Sequence, residues 1–76
     1  MQSHMQQLSH KELGYMADSL TNESILIKEC LTLAQQTQIP AVHQLGTELA
    51  ERHMQHYTHL ISVLEQHQQM APTQPQ

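Results

Sequence analysis

The chain contains no Phe and no Trp, and only two Tyr, two Gly and one Cys among its 76 residues. With one cysteine, Cys30, no intrachain disulfide can form. That predicts a reducing, intracellular setting, a disulfide across a dimer being the one alternative. No Lys/Arg cluster exists, so nothing favours electrostatic attraction to nucleic acid or to an anionic membrane surface. No apolar run approaches the roughly 20 residues that span a bilayer. The opening "MQSHMQQLSH" has no apolar stretch resembling a signal peptide. No strand-like alternation occurs anywhere, which leaves helix as the only regular structure with a sequence signal.

What is present fits helices. Apolar residues make up 38%, mostly Leu, Ile, Met and Ala. At this length one domain is the limit. The formal charge is -4, yet the chain carries seven His, so protonating them would reverse its sign.

A helix start is written in "LSHKEL". Ser9 and Glu12 have the spacing of a capping box, and Leu8 and Leu13 occupy the staple positions around it. The only internal break is "QTQIPAV", where Pro40 disfavours helix at Ile39 and suits the first turn of a new helix. "MAPTQPQ" ends the second helix. The expected organisation is a flexible segment over 1–7, a helical hairpin over 8–70 with helices at about 9–37 and 40–69, and a disordered tail over 71–76.

Projection at about 100° per residue shows which faces turn inward. On the second helix Val42, Leu45, Leu49, Leu60, Val63 and Leu64 share one arc. His53, His56 and His67 fall within it, His59 lies off its edge and His43 outside. On the first helix Leu13, Met16, Leu20, Ile27, Leu31 and Ala34 form a stripe that Leu26, Cys30 and Leu33 widen. One partner helix cannot cover so wide an arc, and a lone hairpin encloses no core. Both points predict self-association of an all-α antiparallel hairpin, two copies forming a four-helix bundle.

Glu23 lies in this wide arc, where an unpaired carboxylate is costly. With the turn centred near residues 38 and 39, Glu23 falls level with the span between His53 and His56. One carboxylate and two imidazoles thus meet at mid-bundle. Nitrogen and oxygen donors of this kind suit a transition metal such as iron, zinc or manganese. The alternative is a buried Glu–His hydrogen-bonded pair that fixes register. Neutral or metal-bound imidazoles predict stability that falls on acidification, and an imidazolium–carboxylate pair predicts the reverse. His4, His10, His43, His59 and His67 read as solvated or boundary residues. Gly46, beside the core arc, reads as a point of close helix approach, and Tyr57 as a boundary residue.

The stretches "LSHKELGYMADSLTNESILIKECLTLAQQT" and "IPAVHQLGTELAERHMQHYTHLISVLEQ" together resemble the spore coat protein F family of spore-forming Firmicutes, within the ferritin-like group. The matching segments are the Leu-Ser-x-Lys-Glu opening and the run "LAERHMQHYTHL" around His53. The resemblance implies a ferritin-like bundle, a sporulation or spore coat setting, and other coat proteins as partners beside a second copy. It implies no catalysis. Ferritin-like relatives that oxidise iron use Glu on one helix and Glu-x-x-His on the next. Glu23 and His56 map onto that pattern, while His53 stands where the motif has Glu. Three functions follow: a self-associating coat-type protein with a metal site at Glu23, His53 and His56, a metal-dependent iron oxidase or iron-handling enzyme, or a metal-free helical adaptor.

Overall fold

The computed structural model describes residues 7–70. Two helices, α1 (His10–Gln36) and α2 (Pro40–Met70), pack against each other as a hairpin, with no strand among the described residues. No helix there is long and apolar enough to cross a membrane. The segments expected to be flexible (1–7) and disordered (71–76) lie outside the described residues, except Gln7.

Each boundary has a local cause. Ser9 has extended backbone angles and caps α1. Its hydroxyl accepts from the Glu12 N–H at 3.1 Å, and the Glu12 carboxylate accepts from the Ser9 N–H at 2.8 Å. These two bonds satisfy donors that a helix start leaves without partners. The Ser9 backbone bond, then its hydroxyl bond, hold the Glu12 carboxyl below its usual value. A carboxyl acidified by folding contributes stability that is present above its unfolded value. That contribution disappears as pH falls through the folded one. Ser9→Ala removes the cap itself and should cost about 1 kcal/mol. Urea melts should show that the gap between wild type and Glu12→Gln narrows in acid.

At the other end Thr37 turns extended and closes α1, its N–H donating to the Leu33 carbonyl at 3.0 Å. The Thr37 hydroxyl accepts from the Ile39 N–H at 3.1 Å. Ile39 then offers its carbonyl to the N–H groups of Val42 and His43, both at 3.0 Å. Pro40 occupies the first helical position, where its missing N–H removes nothing. The whole connection is Thr37, Gln38 and Ile39.

This short connection places the His43 ring against the end of α1. His43 Nδ1 lies 2.8 Å from the Ala34 carbonyl oxygen. A carbonyl only accepts, so Nδ1 carries the proton, and the ring supplies a partner that the ending helix lacks. His43 is exposed, as its position off the apolar arc predicted, and its ring is at the same time a tie across the turn. At the open end the Leu8 N–H donates to His67 Nδ1 at 3.2 Å, so that ring accepts through Nδ1.

The packed seam is made of small residues. Ala34 and Ala50 are the buried apolar side chains, 6% and 1% exposed, and Gly46 is buried beside them. A Cβ built on Gly46 would lie 2.9 Å from the Cys30 carbonyl oxygen and 3.1 Å from the Ala34 Cβ. The helices approach this closely because Gly and Ala hold nothing between them. Leu31 and Leu45, placed by periodicity on the inward arcs, are exposed in the single chain, as are Leu26 and Leu33. One neighbouring helix covers only a strip, and these side chains stand at its edges.

Candidate metal centre

Glu23 sits mid-way along α1, one turn before Ile27 on its inward stripe. His53 and His56 lie one turn apart on α2, so both can face the same height of α1. The antiparallel pairing brings all three together. Glu23 Oε1 is 2.5 Å from His53 Nδ1, and Glu23 Oε2 is 3.3 Å from His56 Nδ1. The carboxylate therefore acts as a fork with one oxygen toward each ring. It can only accept when ionised, so the short contact requires a proton on His53 Nδ1 in the absence of metal. The two rings meet edge to face, their centroids 5.7 Å apart and planes at 82°.

Burial is graded across the cluster. The Glu23 and His53 side chains are 19% and 21% exposed, whereas that of His56 is 53% exposed. A shallow groove of about 330 Å³ opens beside Glu23 and His56, lined also by Ser19, His59, Leu60 and Val63. The cluster is thus more enclosed on the His53 side and more reachable from the His56 side.

The chain matches no protein-family model, no curated protein and no solved structure.

One donor atom from each of Glu23, His53 and His56 can be chosen so that all lie within 4.8 Å of one another. Donors around a single first-row ion at about 2.0–2.2 Å are separated by less than twice that distance, so the cluster needs little contraction to share one. The set is two imidazoles and a carboxylate, which favours zinc, iron or manganese over calcium or magnesium.

Of the residues that sequence reasoning set aside, His59 lines the groove beside Glu23 and His56. Its signal was the spacing: it follows His56 by three residues, one helical turn. His43 and His67 lie elsewhere, held by the contacts at the two ends of the hairpin. Cys30, half-buried, lies against Gly46 through its carbonyl and is separated from Glu23 by two turns of α1.

Proposed function

We propose that this chain is a small ferritin-like, spore coat-type protein that pairs with a second copy and holds a transition metal between its helices. The observation that carries the metal reading is the convergence of Glu23, His53 and His56 donors within 4.8 Å. A half-buried carboxylate forked between two imidazoles across a helix pair is a costly arrangement to maintain, and a shared cation offsets that cost. Such an ion would be held by these three residues and would supply Lewis acidity or, if iron, redox chemistry.

Self-association is supported by the apolar side chains that the hairpin leaves in water. Leu26, Leu31, Leu33 and Leu45 are all exposed, and the buried set is too small for a core of ordinary size. Pairing two hairpins would cover these edges in a four-helix bundle. The coat and sporulation setting, with coat proteins as further partners, rests on the resemblance of "LSHKEL" and "LAERHMQHYTHL" to the coat protein F family.

The test is elemental analysis of protein purified without added metal, repeated after titration with zinc, ferrous iron and manganese. Stoichiometric, tightly held metal supports the reading, and a folded protein that takes up none overturns it. Mass measurement in solution checks the pairing. A dimer is expected, and a folded monomer at micromolar concentration would contradict it.

Two other readings have an observation each. Glu23 already has a hydrogen-bonded partner in His53 and a contact to His56 without metal, which favours a helical adaptor using them to set register. The access to His56 from the groove favours an iron oxidase. Oxygen uptake with ferrous iron decides the latter, no turnover excluding it.

A further inference from the structure

This inference rests on the proposed metal site and takes it one ligand further. We infer that His59 is the fourth donor, so that the bound ion sits in a closed shell of Glu23, His53, His56 and His59. A site that only holds its ion takes four protein donors, and the converged cluster supplies three, leaving one position to a fourth side chain or to water.

His59 is outside the three donors that already lie within 4.8 Å of one another, so its ring has to turn to join them, and its placement allows that. It follows His56 by one helical turn, and residues at that spacing are neighbours on a helix surface. It lines the groove into which Glu23 and His56 open. It also lines a second groove, with Met54, Gln55, Thr58 and Ser62. His59 therefore stands on the ridge between the two, and rotation about its side-chain bonds commits it to one or the other. Among the described residues no hydrogen bond holds its ring, in contrast to His43, His53 and His67. An exposed side chain of this kind changes rotamer freely. On the Glu23 side, Leu60 and Val63 present carbon to the groove. An imidazole ring packs its carbon edge on such a surface. Closure by His59 would make the site one for holding metal rather than for admitting a substrate to it.

Cobalt(II) chloride is the probe, added to the metal-free full chain and followed by visible absorption. Wild type should give the intense ligand-field bands of four-coordinate cobalt(II). His59→Ala should still fold by circular dichroism and still bind cobalt. Its bands should collapse to the weak pattern of higher coordination by water, and its affinity should fall by about tenfold or more, at least the effect of losing a supporting contact. His59→Cys should add a near-ultraviolet sulfur-to-cobalt charge-transfer band that wild type, with Cys30 alone, lacks. His43→Ala should behave as wild type.

Unchanged bands and affinity in His59→Ala, or no charge-transfer band in His59→Cys, would overturn the fourth-ligand assignment while leaving the three-residue site standing. A wild type that binds no cobalt would overturn both. Equal losses in His59→Ala and His43→Ala would also overturn it, because the effect would then not be local to the groove.

Discussion

Replacing Glu23 by Ala is expected to abolish stoichiometric metal binding. Both rings lose the group that aims them. His53 Nδ1 loses an acceptor at 2.5 Å and His56 Nδ1 loses its contact at 3.3 Å. The imidazoles that remain carry no charge to balance a divalent ion. His53→Ala should lose metal as completely, because it removes the most enclosed imidazole of the cluster. Elemental analysis of the three proteins, prepared in parallel, reads this directly. A Glu23→Ala variant that retains its full metal content would place the ion elsewhere.

The same substitution separates the metal reading from the hydrogen-bonded pair. If the cluster only sets register, Glu23→Ala leaves half-buried His53 without its partner and costs about 1–3 kcal/mol with or without added metal. If it holds an ion, adding zinc raises the melting temperature of wild type, through binding to the folded state alone, and leaves the variant unchanged. Chelator should reverse the wild-type gain. Because imidazole must shed its proton to hold a metal, the zinc-dependent gain should vanish on acidification.

The second large effect is expected at Gly46. A Cβ there meets the Cys30 carbonyl oxygen at 2.9 Å and the Ala34 backbone nitrogen at 3.2 Å. These are main-chain atoms of the facing helix, so relief requires the helices to separate. Ala would gain about 1 kcal/mol in helix propensity and so mask part of the cost. Val adds two further methyl groups with almost none of that gain. Gly46→Val should destabilise by about 2–3 kcal/mol, near the upper end for overpacking. Gly14 is the control, since a Cβ there meets nothing within 4 Å. Gly14→Ala should stabilise by about 0.5–1 kcal/mol. Urea melts of both variants test the pair, and a Gly46→Val protein as stable as wild type would mean the seam is not tightly closed.

Much of this hairpin was legible in the chain because its signals are local. The capping box needs only Ser9 and Glu12 three residues apart, and both of its bonds are formed. Pro40 announces the start of α2 through its own geometry. The juxtaposition of Glu23 with His53 and His56 followed from counting back from the turn, since antiparallel helices of equal rise keep register.

What periodicity could not supply was the direction of individual rings. His43 lies outside the apolar arc, yet the brevity of the Thr37–Ile39 connection turns it onto the Ala34 carbonyl. His67 lies inside the arc and finds a backbone N–H rather than apolar packing. His59 lies at the edge and lines the groove beside Glu23 and His56. Leu31 and Leu45 sit on the arcs as drawn but remain uncovered, because a wheel reports which way a residue faces and not whether anything stands opposite.

The seam at Gly46 has one more consequence. The hairpin is a pair of tongs pinched near the pivot. His53 lies seven residues beyond Gly46, about 10 Å along the helix at 1.5 Å per residue. At that arm length, a splay of about 6° at the seam moves the grip by about 1 Å, comparable to the difference between a bond and a contact to a metal. A methyl group at Gly46, touching no ligand, would thereby loosen the jaws at Glu23 and His53. The glycine that sets how closely the arms close also calibrates what they can hold.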